Sequence, residues 1–341
     1  MDYPYSTPPH LTADLPGVGG ALKTEPEDFR VDEIPAYSPK GEGTHLFVRF
    51  EKRDLDTKRA VDAIARGIQC DPRGAGFAGM KDRRAVTTQW ASFEGGEPDR
   101  ALALSLDGIR ILEAAPHPHK LRTGHLKGNR FELRIRGATP DLGLVRAVLA
   151  RLSEVGCPNY FGAQRFGYEG KNVDRALRWI VGGGKPPRKR FERKLLVSSL
   201  QAALFNTVLG KRVEEGLLAR WVEGDLLKKV DTGGMFIAEN RDEEQGRLDR
   251  FEVSPTGPMF GAKMRWPAGE ALAREESVLS GAGLDREHLR SFRKAGEGTR
   301  RVLRIRPGEV AASLEDDVIH LSLTLDKGAY ATVITREITK S

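Results

Sequence analysis

The segment Gly79-Met80-Lys81-Asp82-Arg83-Arg84-Ala85-Val86-Thr87-Thr88-Gln89 sets one carboxylate among three cations. Nearby positive charge favours the ionised form of a carboxylate, and an ionised Asp is a nucleophile or a base. Gly76, Ala78 and Gly79 lie just ahead of it, and such small residues let a ligand come close to the backbone. The plain alternative is an exposed charged turn, since ion pairs that serve only structure also perturb pKa values. A second segment, Pro158 to Gly167, interleaves Tyr160, Phe161 and Phe166 with Asn159, Gln164 and Arg165. Bases stack on aromatic rings and on guanidinium planes, so this pattern suits RNA. The same rings would equally well pack a domain joint.

Other patterns carry less chemistry. Gly74 to Gly79 matches G-x-G-x-x-G, but a dinucleotide fingerprint needs a strand before it and a helix after it. Here a helical pattern precedes it and a charged run follows. Gly182-Gly183-Gly184-Lys185 lacks the earlier glycine and the Ser/Thr of a phosphate loop and reads as a flexible joint. His117, His119 and His125 have no Cys or acid at ligand spacing, and Lys120, Arg122 and Lys127 would repel a cation. A solvated basic loop is expected there, with no metal. Two cysteines, Cys70 and Cys157, make neither a disulfide framework nor a C-x-x-C site. That reads as a reducing, cytoplasmic compartment. The first residues show no signal-peptide pattern. No stretch reaches the roughly 18 apolar residues of a membrane span.

Charge points to a polyanion. The chain of 341 residues has 55 Lys+Arg against 48 Asp+Glu, a net charge of +7. Bound cations release counterions from phosphates, which favours nucleic acid, although +7 also fits mere solubility. Two runs concentrate the excess: Lys120 to Arg136 holds six Lys or Arg and one acid, and Lys185 to Lys194 holds six and one. Clusters so far apart in sequence suit a long or bent anionic partner.

These residues need elements to position them. Ahead of about residue 20 the proline- and glycine-rich chain reads as an irregular lead-in. Ala21 to Ile34 reads as a strand pair broken at Glu25-Pro26-Glu27-Asp28, and Thr44 to Glu51 as a strand. Asp56 or Thr57 caps a helix with Val61, Ile64, Ala65 and Ile68 on one face. Thr88 to Glu94 reads as a strand and Pro98 to Leu106 as a short helix. Arg130 to Arg136 alternates with Phe131, Leu133 and Ile135 inward, and Leu142 to Val155 is an amphipathic helix. A long helix is expected from Leu195 to Leu218. Near the C-terminus Ile319, Leu321, Leu323 and Leu325 share one strand face. Strand-rich ends around a different middle suggest one domain inserted into another.

The sequence resembles the TruD family of tRNA pseudouridine synthases. The matching blocks are Glu25-Pro26-Glu27-Asp28-Phe29, Gly41-Glu42-Gly43-Thr44-His45, Ala78-Gly79-Met80-Lys81-Asp82 and Gly128-Asn129 with Phe131. Pro158 to Gly167, Leu204-Phe205-Asn206, Gly257-Pro258-Met259-Phe260-Gly261, Gly328-Ala329-Tyr330-Ala331-Thr332 and Arg336-Glu337 follow in order. Any one block is modest, but the ordered set is specific.

The resemblance implies isomerisation of uridine 13 of tRNA to pseudouridine, without cofactor or metal, membrane or obligate protein partner. It implies Asp82 as the catalytic aspartate, Phe29 and Tyr330 lining the uracil pocket, and Asn129 as a substrate-contacting amide. Lys23 is expected as the cation near Asp82. The family often carries Phe where this chain has Tyr330, and a phenol also stacks. The implied fold is α+β, a discontinuous catalytic domain (1–156 and 301–341) with a mainly antiparallel sheet, interrupted by an inserted family-specific domain (157–300). Two other classes compete. A non-catalytic RNA-binding protein or RNA chaperone has no need of Asp82. A nuclease would want metal-binding carboxylates or a catalytic histidine.

Overall fold

The computed structural model describes residues 7–341. The chain packs into two compact units. One comprises Gly17–Leu149, Pro307–Ala331 and Ile338–Ser341. The other comprises the residues up to Pro16, Ala150–Arg306 and Thr332–Glu337. The fold is α+β with mainly antiparallel sheets.

The first unit opens with β1 (Phe29–Pro35), β2 (His45–Arg53), α1 (Thr57–Gly67), β3 (Gly76–Phe77) and β4 (Val86–Glu94). Then come α2 (Pro98–Leu102), β5 (Ile109–His117), β6 (Leu126–Ile135) and α3 (Leu142–Val155), whose last turns enter the second unit. Asp56 caps α1 by accepting the Lys58 and Arg59 N–H groups, which removes two of the four orphan donors of the helix start. Val61, Ile64 and Ala65 of α1 then join Leu46, Val48 and Phe50 of β2 and Ala91 and Phe93 of β4 in one apolar core. The expected strand pair at Ala21 to Ile34 is a single bridge, Ala21 to Arg136, then a 3-10 turn and β1. The proline of Pro26–Asp28 and the buried Asp28, which accepts from the Glu25 N–H and from Arg136, fold that segment into a turn. β5 was not legible, because its residues alternate poorly and its pairing with β2 shifts register between Arg49 and Phe50.

In the second unit lie β7 (Cys157–Pro158), α4 (Lys171–Ile180), α5 (Arg190–Glu214), β8 (Leu226–Lys229), β9 (Met235–Ile237), α6 (Arg241–Asp249) and β10 (Val253–Met259). α7 (Gly269–Gly281), α8 (Arg286–Ser291), β11 (Thr299–Val302) and β12 (Arg304–Ile305) complete it. A four-stranded sheet runs β11-β10-β8-β9. The long helix stops at Glu214 rather than at the expected Leu218. Gly216, at φ +70°, gives its N–H to Val213, and Leu217 gives its N–H to Arg212. This left-handed cap satisfies the last carbonyls and turns the chain away. β10 carries Pro255 and Pro258, which argue against a central strand and hid it from a reading of the sequence.

The chain returns to the first unit as β13 (Gly308–Glu315) and β14 (Val318–Asp326), and α9 (Ala331–Thr339) follows. They complete an eight-stranded sheet, β13-β14-β6-β1-β4-β2-β5, with β3 also on β4. Among the described residues of this sheet only β1 and β4 pair in parallel. Phe131, Leu133 and Ile135 of β6 and Ile319, Leu321, Leu323 and Leu325 of β14 are all buried, as their alternation predicts. One edge of β4 carries β2 along its whole length. The other edge is shared: β1 pairs at Val86–Thr88, and β3 at Ala91 and Ser92. In the gap between them the Trp90 N–H, which has lost its strand partner, donates to Glu33 Oε1 at 3.3 Å. The loop from Ala78 to Ala85 joins β3 to β4 beside that gap.

Candidate active site

Asp82 sits on this loop, held from several sides. Its Oδ2 accepts from Lys23 Nζ at 2.7 Å, in a pair where Lys23 is 26% and Asp82 39% exposed. The same ammonium lies 3.9 Å from the centroid of the Phe29 ring. Lys23 has a left-handed backbone at φ +60°, which is strained for a non-glycine residue and is tolerated where the surroundings over-determine it. Two hydrogen bonds between Ala21 and Arg136 anchor the chain just before it. Arg84 binds the Thr24 carbonyl just after it, at 2.8 Å.

The loop backbone is pinned at consecutive residues. The Lys81 N–H donates to Thr57 Oγ1 at 3.0 Å, at the first turn of α1. The Asp82 carbonyl accepts from Lys52 Nζ at 2.7 Å. Lys52 is 0% exposed, and burial pushes its ammonium down to about 8. The Lys81 side chain turns inward and gives 2.8 Å hydrogen bonds to both Glu33 Oε2 and Asn129 Oδ1. Lys81 is 6% and Glu33 1% exposed. A lysine ammonium only donates, so its position fixes which end of the Asn129 amide is the oxygen.

Asn129 stands in register between Glu33 of β1 and Leu325 of β14. Its neighbour Gly128 has to be glycine, since a Cβ there would lie 2.2 Å from the Leu325 carbonyl oxygen. Tyr330 is half-buried, five residues past Leu325, between the turn that ends β14 and the start of α9.

Thus the structure joins Lys23, Phe29 and Asp82 through one ammonium, and joins Asn129 to the same loop through Lys81. Tyr330 belongs to the same unit, placed by the strand that ends beside Asn129. Phe29 is 3% exposed, under Lys23 and edge-on to Phe131, so it is a wall rather than an open platform. The three cations of the loop, Lys81, Arg83 and Arg84, have different surroundings. Lys81 is a buried pair, Arg84 a backbone tie, and Arg83 lies 3.8 Å from Asp54 in the open.

Glu33, Lys52 and Thr57 were missed. A signal existed for the first two: Glu33 follows Phe29 and Val31 on the inward face of β1, and Lys52 follows Leu46, Val48 and Phe50 on that of β2. An ionisable group in an inward register needs a partner.

Two further expectations are settled by burial. Tyr160, Phe161 and Phe166 are buried. Phe161 packs on Phe205 at 5.5 Å and its backbone takes two 2.9 Å hydrogen bonds with the Asn206 amide. These rings are core, out of reach of a base. His117 is likewise buried, not solvated. It stacks on Tyr37 at 5.2 Å, and the Tyr37 hydroxyl bonds His125 Nδ1 at 2.8 Å. Among the described residues no three His, Cys, Asp or Glu side chains group to hold a metal, and no helix is long and apolar enough to cross a membrane.

A family model for tRNA pseudouridine synthase D (TruD) matches residues 9–183 and 189–338. The tRNA pseudouridine synthase D of Anaeromyxobacter sp. (strain Fw109-5) is 47% identical over 341 residues, covering 98% of this chain and 96% of that protein. The tRNA pseudouridine synthase D of Thermus thermophilus is 44% identical over 336 residues, covering 97% and 92%. A crystal structure described as tRNA pseudouridine synthase D from Methanosarcina mazei has the same fold, with a TM-score of 0.78 over 98% of this chain and 96% of its own at 23% identity. With a family model spanning nearly its whole length and relatives of this similarity, the chain belongs to the tRNA pseudouridine synthase D family, a family of isomerases.

Proposed function

We propose that this protein converts uridine 13 of tRNA to pseudouridine with Asp82 as the nucleophile or base, in the cytoplasm and without cofactor or obligate protein partner. One observation carries the reading: a single ammonium, Lys23 Nζ, lies 2.7 Å from the Asp82 carboxylate and 3.9 Å from the Phe29 ring. The names of the relatives support the reaction class.

The reaction breaks the C1′–N1 bond, turns the uracil, joins C1′ to C5, releases the C5 proton and leaves N1 protonated from solvent. The target base must first leave its stack, at a cost of a few kcal/mol. Stacking on Tyr330 offsets part of this, with Phe29 as the wall behind Lys23. The Asn129 oxygen is engaged by Lys81, so its NH2 is the end offered to a uracil carbonyl. Asp82 attack at C1′, its addition at C6 and its removal of a proton from C2′ all start from the same carboxylate. Only the last breaks a C2′–H bond, so a primary 2′-deuterium isotope effect marks that route alone. Enclosure keeps the detached uracil in place until it rejoins. The domain reading that goes with this function is a catalytic domain of 1–156 and 301–341 interrupted by an inserted domain, 157–300. The compact unit containing Ala150–Arg306 supports it.

The test uses unmodified tRNA tritiated at uridine C5, with no added metal. Tritium release by the wild type, lost in Asp82→Asn with tRNA binding intact, is the expected result. Mapping the product to position 13 completes it. Binding should weaken steeply when salt is doubled, through lost phosphate contacts. No release by folded wild type across several tRNAs would leave an RNA-binding protein without turnover. Cleaved tRNA, or chelator-sensitive activity, would point to a nuclease.

A further inference from the structure

The geometry points to Lys52 as a positioning residue for the reaction: its buried ammonium fixes the main chain of Asp82 and places a positive charge behind the Asp82 carboxylate. This rests on the reading of Asp82 as the catalytic group.

Lys52 closes the inward row of β2 after Leu46, Val48 and Phe50, all core residues. It is 0% exposed. Among the described residues no carboxylate oxygen lies within ion-pair distance of it, and its hydrogen bond is to the Asp82 carbonyl at 2.7 Å. Burying an ammonium without a paired carboxylate costs several kcal/mol, and a methionine would fill the same space without that cost. Stability therefore does not explain the lysine. Position does. Thr57 holds the Lys81 N–H and Lys52 holds the Asp82 carbonyl, so two elements clamp successive residues of the loop. The Asp82 carboxylate then projects toward Lys23 from a fixed backbone. A misplacement of about 1 Å at a reacting group costs about 100-fold in rate.

The charged groups facing the ammonium are Asp82 and Lys81 from the loop, and Asp54 and Asp56 from the turn into α1. Burial outweighs the three carboxylates and brings Lys52 down to about 8. A neutral amine still donates to a carbonyl. Raising the pH through this value therefore removes the charge while leaving the hydrogen bond possible, and separates the two roles.

The experiment measures kcat and KM for tritium release from about pH 6.5 to about pH 9.5 for wild type, Lys52→Met and Lys52→Arg. Wild-type kcat should fall with an apparent pKa near 8. Lys52→Met should lose about 100-fold in kcat, with KM and tRNA affinity within about threefold, and should lack that limb. Lys52→Arg should restore part of kcat, again without the limb. The proposal is overturned by a Lys52→Met kcat within about threefold of wild type, or by a limb near 8 that survives in that variant. Should Lys52→Met fail to fold, by melting and tRNA binding, the wild-type profile decides. A fall near 8 supports the proposal, and a constant kcat from about pH 7 to about pH 9.5 overturns it. Absent wild-type release, or release undiminished in Asp82→Asn, would instead be a failure of the reaction assigned to Asp82.

Discussion

The two compact units bury their cations in different ways. In the unit containing Ala150–Arg306 the buried cations are arginines set in forks. Arg300 donates to both Glu275 oxygens at 2.8 and 2.6 Å and to the Thr256 carbonyl at 2.7 Å. Arg212 grips both oxygens of Asp225, and Arg304 reaches the Val155 and Leu248 carbonyls. In the unit containing Asp82 they are two lysines: Lys81, on the loop that carries the carboxylate, and Lys52 of β2, whose ammonium bonds that loop's backbone. A guanidinium is planar and matches two acceptors at once, and it stays charged: even Arg304, lowered by burial to about 10, keeps its proton at neutral pH. An ammonium is a point charge whose proton burial readily loosens. Arginine suits a frame that must not change. Lysine suits a place where charge is to be set beside a reacting group.

Breaking one buried ion pair in each unit tests this contrast. Glu275→Ala leaves Arg300 buried and unpaired and should cost about 3–5 kcal/mol in urea unfolding, while kcat per folded molecule holds. A loss below about 1 kcal/mol would show the fork to be dispensable. Lys81→Met strands Glu33 and should cost about 3 kcal/mol, yet it should also lower kcat by about 100-fold because Asn129 and the loop lose their tie. An unchanged kcat would class Lys81 with the arginines. Lys23→Ala inverts the balance. The Lys23–Asp82 pair is partly exposed, so stability should move by less than about 1 kcal/mol while kcat falls about 100-fold.

The smallest effect is a slope. The folded Lys52 ammonium titrates near 8 against 10.5 for the free group. Between those values the unfolded chain binds more protons, so this residue's contribution to stability rises with pH across that window. The proposal has kcat falling over the same window. The difference in unfolding free energy between wild type and Lys52→Met, followed from about pH 7 to about pH 10.5, should show that rise. A flat difference would remove Lys52 from the contrast.

Local pattern made much of this legible. The Asp56 cap, the α3 stripe and the alternation of β6 and β14 were readable because each depends on neighbours two to four residues away. Asp82, Lys23, Phe29 and Asn129 were named from ordered motifs. The end of α5 was misjudged because the hydrophobic pattern runs past Gly216, whose backbone conformation terminates the helix.

The ordered motifs, through their resemblance to a known family, determined the family and the α+β class and singled out Asp82 for the role proposed here. Lys23 beside Asp82, 59 residues away, was expected alongside the resemblance; only the tertiary structure decided the other partners, Lys52 with Asp82 at 30 residues and Lys81 with Asn129 at 48. Periodicity tells which face a side chain takes but not which distant group it meets there. The same limit applied to Tyr160, Phe161 and Phe166: an aromatic that stacks on a base and one that fills a core read alike until burial separates them.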